Sequence, residues 1–513
     1  MRAKDEQREA LLHKLQQLNI NGLFYQQIKS MLKDVMVRVK VNNQVSDYFR
    51  SEIGLKQGEV LSPILFNMYL HDINECFNQD CDPVVLNNRC LSSLQYADDL
   101  IVISQTSEGL QKSMDNLNTY CKKWKLSINI NKTKYMAIEK KKSKNPTKIN
   151  LGDTPLERVD NYTYLGIDIT SNGTFTTCKD TLTNKARKAM YKLKGLINGT
   201  NIKKSLALKL FDQLITTIAT YGSVIWGPLD LSKILKEGTL TKLEDLYNKL
   251  PQEKLNSHFC KYLLGISNKA TNLAALSELG RCPLYTSIIP QVLKYYVRLK
   301  NMQEDTLLKQ ALYEMEKQKS SNKTSWLSIV EHIKNLLSPQ SRQIIDGENA
   351  LNKRHSKLIN NDIYQRFITH WSLTMQAQNG KLDTYKIIKT EFKYEPYLDY
   401  VKSKEKLTAL TRIRTSCHKL NIEAGRYKRP IIPREERLCD MCKNGVEDEY
   451  HFIFICPKYN LIRQSTIGEF NTNLSREILL KKYLGDFEER NPEQIATYVE
   501  VAMTLRNNSS VEL

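Results

Sequence analysis

Asp98 and Asp99 stand side by side, with Tyr96-Ala97 before them and the strand-forming run Leu100–Ser104 (LIVIS) after them. Two apolar runs flanking a pair of aspartates predict a buried hairpin with an acidic tip over Leu94–Ser104. Like charges in a partly buried tip repel, so the arrangement asks for a cation. Magnesium suits it, being a hard ion that takes carboxylate oxygen and triphosphate together. In two-metal chemistry one ion activates an attacking hydroxyl and the other carries the leaving pyrophosphate, with the ions about 4 Å apart. Nucleotidyl transfer is the reaction with that need.

A second set lies near the other end. Cys439-Asp440-Met441-Cys442 puts two thiolates across a tight turn, and His451 and Cys456 follow after eight and four intervening residues. Four soft or borderline ligands in one short window suit tetrahedral zinc in a closed, structural site. The remaining cysteines, out of an odd total of eleven in a long chain, do not form a disulfide framework and read as buried apolar groups or free thiols.

Several elements must position these groups. Leu11, Leu15 and Leu18 repeat at helical spacing up to Asn21-Gly22, and Phe24, Ile28 and Leu32 continue the pattern, which predicts two packed helices. Val35, Val37, Val39 and Val41 alternate with polar or larger residues ahead of Asn42-Asn43, a hairpin signal. Ser62-Pro63 predicts a capped helix through Ile64 to Phe77. A helix from Ser107 carries the stripe Leu110, Met114, Leu117, Cys121 and Trp124, closed by a strand-like SININ at residues 127–131. The alternation predicts an α+β fold whose antiparallel sheet is backed by helices. Beyond Tyr164-Leu165-Gly166 the pattern turns helical, with Leu182, Ala186, Ala189, Leu193 and Leu196 on one face and Lys185, Lys188 and Lys192 off it. Glu316–Thr324 (EKQKSSNKT) reads as a linker, and Lys140–Pro146 (KKKSKNP) as a basic loop.

Tyr96-Ala97-Asp98-Asp99 resembles the signature hairpin of reverse transcriptases, and GLKQGEVLSPILFNMYLHDI (Gly54–Ile73) resembles the preceding block of retrotransposons without long terminal repeats, the LINE type. INKTKYM, ending at Met136, and YLGI at Tyr164–Ile167 follow in the same order. The segments TRIRTSCHKL (Thr411–Leu420), PREERLC and EDEYHFIFICPKY resemble the terminal region of jockey-like elements. The resemblance implies a partial fingers and palm over 1–170, a helical thumb and connector over 171–315, a helical linker region over 325–410, and a basic region with a zinc knuckle over 411–513. It implies RNA-directed DNA polymerase activity with magnesium at Asp98 and Asp99. It further implies Tyr96, Gln57 and Gly58 beside template and nucleotide, Lys132 or Lys134 at the triphosphate, and Tyr164, Leu165 and Gly166 gripping the primer. The implied partners are an RNA template, a DNA primer or target, and deoxynucleoside triphosphates.

Proteins of this kind carry another metal-binding aspartate on a strand just before a helix, and REALLHKL (Arg8–Leu15) matches that helix. Only MRAKDEQ precedes it, with Asp5 in the turn and not on a strand. The expectation for these residues is therefore a truncated polymerase of impaired or no activity, the alternative being a non-enzymatic nucleic-acid-binding remnant of the same element. Lysine and arginine outnumber aspartate and glutamate 76 to 56, a net charge of +20 that favours a polyanionic partner through phosphate contacts. Arg412, Arg414, Lys419, Arg426, Lys428 and Arg429, with Tyr427 and Tyr450, crowd the knuckle and suggest single-strand binding. No apolar run approaches the roughly 20 residues of a membrane span, and the charged start is not a secretory signal. The nucleus or cytoplasm is the expected location.

Overall fold

The computed structural model describes residues 6–51, 54–139, 147–200, 202–236, 249–320, 325–348, 350–377, 380–471, 473–487 and 491–509. Asp5, the basic loop at 140–146 and residues 321–324 of the expected linker lie outside them. The chain forms two compact units. One takes in residues up to Thr174 together with Glu304–Glu314, the other Phe175–Gln303 and Met315 onward.

In the first unit, helices Glu6–Gln17 and Gly22–Leu32 bring Leu11, Leu15 and Ile28 into a core with Leu65, Tyr69, Ile73, Met114, Leu117 and Trp124. The helix Ser107–Lys123 begins where the Thr106 side chain accepts the Gly109 N–H at 3.0 Å, filling one of the donors a helix start leaves open. The Asn42-Asn43 turn has φ of 46° and 66° and joins Lys40–Val41 to Gln44–Val45, the doubly left-handed geometry that matches strand twist.

Four expectations change here. The β-structure consists of two-stranded ladders instead of one sheet, and the pair Lys134–Tyr135 with Glu157–Arg158 is parallel. These strands are two to four residues long and most present both faces to solvent, so no buried face recruits a third partner. SININ is irregular, because the Asn129 side chain and carbonyl both accept the Lys132 N–H, at 3.2 and 3.1 Å, a local turn that competes with a ladder. The helix expected through Phe77 runs only Ser62–Tyr69, with Ser62 inside it and not capping it, and a short 3-10 turn follows at Ile73–Cys76. Its end coincides with capture of the Tyr69 carbonyl by Lys14 Nζ at 2.6 Å.

Lys14 is fully buried. Its ammonium also donates to Asp72 Oδ1 at 2.5 Å and Tyr120 Oη at 2.6 Å, and lies 4.0 Å over the Trp124 ring. Burial alone would raise the Asp72 carboxyl; hydrogen bonds from Lys14 and Tyr120 outweigh it and hold the group below its ordinary value. A depressed carboxyl contributes stability above its unfolded pKa and loses it as pH falls through the folded one, so the first unit should weaken below about pH 4. Lys14→Met strands Asp72 and is expected to cost about 3 kcal/mol, read as a fall in the urea midpoint.

The second unit is helical. On the helix Thr176–Gly199, Leu182, Ala186 and Leu193 are buried as expected, but the stripe continues through Met190 and Ile197 while Leu196 is exposed. Glu316–Ser320 belongs to the helix Leu307–Ser320 instead of a linker, since glutamate, lysine and glutamine are good helix formers whatever their polarity. Arg414, counted above among knuckle cations, is wholly buried: Nε donates to Glu278 Oε1 at 2.5 Å and Nη2 lies 3.2 Å from Glu395 Oε2. Tyr385 and Tyr397 donate to the same Glu278 at 2.9 and 2.7 Å. Removing one partner of such a network leaves a buried charge uncompensated, so Arg414→Ala is expected to lower stability by about 3–5 kcal/mol in chemical denaturation.

Candidate active site and metal centre

Ser93–Tyr96 and Asp99–Val102 pair antiparallel, with Tyr96 opposite Asp99 and Ala97-Asp98 as the two-residue turn. Ala97 has φ of 53°, a left-handed value that costs a non-glycine residue energy and places Asp98 at the apex. The hairpin is not buried as expected: Leu94–Asp99 are exposed, and Ser93 and Leu100–Ser104 are half-buried. A ladder of two short strands has no further strand to cover its outer face. Both carboxylates therefore face solvent and are free to meet a hard cation through oxygen.

The second hairpin, Asn161–Tyr164 with Ile167–Thr170, turns at Leu165-Gly166 with φ of 48° and 81°. Tyr164 closes this turn, and its phenol is pushed above the ordinary value by burial and then by the Asp99 carboxylate. The two hairpin tips are thus electrostatic neighbours. Tyr162 on the same strand donates to the Lys132 carbonyl at 3.1 Å, which ties the INKTKYM segment to this hairpin. Lys134 Nζ is held by Glu157 at 2.6 Å, whereas the Lys132 side chain makes no ion pair among the described residues. Gln57 and Gly58 form an exposed turn of their own. The Gly58 φ of 94° requires glycine, although space around it is open. No hydrogen bond among the described residues joins this turn to the acidic hairpin.

At the other end, the ligand atoms of Cys439, Cys442, His451 and Cys456 all lie within 4.8 Å of one another. Cys439 Sγ is 3.9 Å from Cys456 Sγ, and Cys442 Sγ is 3.3 Å from His451 Nε2. Tetrahedral zinc with Zn–S of about 2.3 Å and Zn–N of about 2.0 Å sets these edges near ~3.8 and ~3.5 Å. The donor set fits the ion. Burial pushes the Cys439 thiol up to about 12 and raises Cys456, while it lowers His451.

The supports of this centre reach far along the chain. Glu447, wholly buried, accepts both Arg506 Nε and Nη2 at 2.7 Å and the Asn421 N–H at 2.7 Å, and its own N–H donates to the Arg437 carbonyl at 2.8 Å. Asp448 accepts the His451 N–H at 2.8 Å and Arg476 Nη2 at 2.8 Å. His418 bonds Glu449 at 2.8 Å. Of the expected basic fringe, Lys419, Lys428, Arg429 and Tyr427 are exposed. Arg412 binds the Gly265 carbonyl, Arg426 binds Glu423, and Tyr450 is half-buried under Arg476. Each of these three meets a partner within the fold.

Residues 7–169 match the reverse transcriptase (RNA-dependent DNA polymerase) family. A probable RNA-directed DNA polymerase from transposon BS of Drosophila melanogaster is 28% identical over 214 residues, 40% of this chain and 23% of that one. The RNA-directed DNA polymerase from mobile element jockey of the same species is 24% identical over 233 residues, 43% of this chain and 25% of that one. The Pol polyprotein of its type-2 retrotransposable element R2DM is 29% identical over 136 residues, 25% of this chain and 13% of that one. This chain carries a reverse-transcriptase domain of the non-LTR retrotransposon type. It spans about a quarter of the transposon BS and jockey proteins.

The reverse-transcriptase domain covers both hairpins and the Gln57–Gly58 turn, while the Cys/His cluster lies beyond the matched residues and stands on its own geometry. Sequence reasoning missed Tyr162, Glu447 and Arg506. Tyr162 offers a weak signal, an aromatic two positions before Tyr164 on the same strand face. Glu447 opens the acidic run EDEY just ahead of His451, which could have marked a support. Arg506 has no local signal at all. No helix among the described residues is long and apolar enough to cross a membrane.

Proposed function

We propose that the acidic hairpin is the centre of RNA-templated DNA synthesis, in which the 3′ hydroxyl of a primer attacks a deoxynucleoside triphosphate. The observation that carries this reading is the two-residue turn that sets Asp98 and Asp99 on one exposed hairpin tip, inside the residues that match the reverse-transcriptase family. Asp98 and Asp99 would hold magnesium, since both carboxylates are exposed and oxygen is its preferred donor. Magnesium bound there would activate the attacking hydroxyl and offset the charge of the leaving pyrophosphate. Tyr164 to Gly166 grip the primer end against the acidic tip. Lys132 faces the triphosphate, because Lys134 is already held by Glu157. Tyr96, Gln57 and Gly58 border the templating base and the incoming nucleotide. On this reading the first unit is the fingers and palm, the second begins with the thumb and connector, and the zinc knuckle presents Lys419, Tyr427, Lys428 and Arg429 to template RNA or target DNA.

The test is extension of a labelled oligo(dT) primer on poly(rA) by the 513-residue chain, with Asp98→Asn alongside. Extension that depends on template, magnesium and Asp98 supports the proposal. Tight RNA binding without extension by either protein favours the second reading, a nucleic-acid-binding remnant, to which the two-carboxylate tip also points because two-metal transfer ordinarily draws on further bridging ligands.

A further inference from the structure

The loop that carries Lys132 is clamped from two directions. From within the loop, the Asn129 side chain and carbonyl accept the Lys132 N–H at 3.2 and 3.1 Å, and the same carbonyl takes the Thr133 N–H at 3.0 Å. From the second hairpin, the Tyr162 hydroxyl donates to the Lys132 carbonyl at 3.1 Å. The two peptide planes that flank the Lys132 α-carbon are thus both pinned, and because each plane is rigid, both backbone dihedrals of Lys132 are set. Just beyond, Lys134–Tyr135 pairs in parallel with Glu157–Arg158, and Lys134 Nζ is taken by Glu157. The Lys132 side chain, by contrast, is exposed and makes no ion pair among the described residues.

A lysine on a loose loop loses backbone freedom when it meets an anion; here folding has already removed that freedom, so the ammonium is offered from a fixed root. The source of the clamp matters as much as its presence. Tyr162 lies two residues before Tyr164 on the strand Asn161–Tyr164, on the same strand face, and that strand leads into the Leu165-Gly166 turn. One short strand therefore ties the Lys132 loop to the turn that grips the primer end, and transfer requires nucleotide and primer to be held in register with each other. We propose that Tyr162 is a positioning residue for nucleotidyl transfer: its hydroxyl, acting through the Lys132 carbonyl, sets where the Lys132 ammonium meets the triphosphate of the incoming nucleotide. Asn129 holds the other side of the same residue. This role rests on Lys132 facing the triphosphate, as proposed above, and adds the group that keeps it there.

The test is equilibrium binding of radiolabelled dTTP, with magnesium, to the full chain on poly(rA) carrying a dideoxy-ended oligo(dT), so that affinity is read without transfer. Lys132→Ala is expected to weaken dTTP binding about thirtyfold, the loss of a charge-assisted contact. Tyr162→Phe, which removes only the hydroxyl, should weaken it about fivefold, and Asn129→Ala by a similar factor. In the Lys132→Ala background Tyr162→Phe should change affinity by less than about twofold, because the two residues act as one unit. A fivefold loss that persists in that background would overturn the role, since it would mark a general loosening of the fold. Full affinity in Tyr162→Phe beside a weakened Lys132→Ala would overturn the role and leave the triphosphate contact standing. No dTTP binding by the wild-type chain, or full affinity in Lys132→Ala, would overturn that contact and the role with it.

Discussion

Asp98→Asn is expected to slow RNA-templated primer extension by roughly a thousandfold, the effect of losing about 4 kcal/mol of transition-state stabilisation. Asparagine keeps the shape of aspartate but removes the charge that would bind magnesium. Asp98 sits at an exposed apex, so the fold should change by no more than about 0.5 kcal/mol. Retained thermal stability with lost extension separates a catalytic role from a structural one. Asp99→Asn should show a comparable loss with a second signature. The Asp99 charge helps hold the Tyr164 phenol above its ordinary value. Neutralising it leaves only the contribution of burial, so the Tyr164 phenolate should appear at lower pH in an ultraviolet titration of Asp99→Asn than in the wild-type chain. An unshifted titration would mean that the two tips do not sense each other.

Loss of zinc should be the larger effect on stability. Structural zinc contributes an apparent ~10–16 kcal/mol in small zinc modules at neutral pH. Here Cys439 and Cys456 are wholly buried, so an empty site would leave thiols in the core without the bonds that organise them. Purified protein should contain one zinc per chain by elemental analysis, and Cys456→Ser should contain none. The disruption should extend to the helix Pro492–Ser509, because Arg506 on that helix is fixed to Glu447, itself 3.8 Å from Cys439 Sγ. A chelator should therefore lower the melting temperature and expose this helix to amide exchange. Unchanged protection of that helix in Cys456→Ser would contradict the coupling.

Chemistry carried by neighbouring residues was legible in the chain. Asp98 and Asp99 need only a two-residue turn to share a tip, and the four zinc ligands lie within one short window. Chemistry that depends on distant contacts was not. Nothing local in YLGI says that Tyr164 senses the Asp99 charge, and nothing around Arg506 points to Glu447. Charge also misled where burial decides its meaning. Arg414 reads as one more cation in TRIRTSCHKL, yet Glu278 and Glu395 neutralise it in the core. Lys14 interrupts no apolar pattern because its position, three residues after Leu11 and one before Leu15, already lies on the buried face of its helix. The alternating strands were sound as local hairpins, but alternation alone did not reveal that they would pair two by two. The one-residue shift in the stripe of Thr176–Gly199, from Leu196 to Ile197, follows from 3.6 residues per turn accumulating over a long helix.

Metal-centred cleavage tests the central claim most directly. With ferrous iron substituted for magnesium in the presence of ascorbate and peroxide, radicals form at the bound ion and cut the nearby backbone. Cuts should cluster around residues 96–100 and 162–166, compete away with magnesium, and vanish in the Asp98→Asn, Asp99→Asn double variant. Cleavage confined to other segments, or unchanged in that variant, would show that the acidic tip holds no metal.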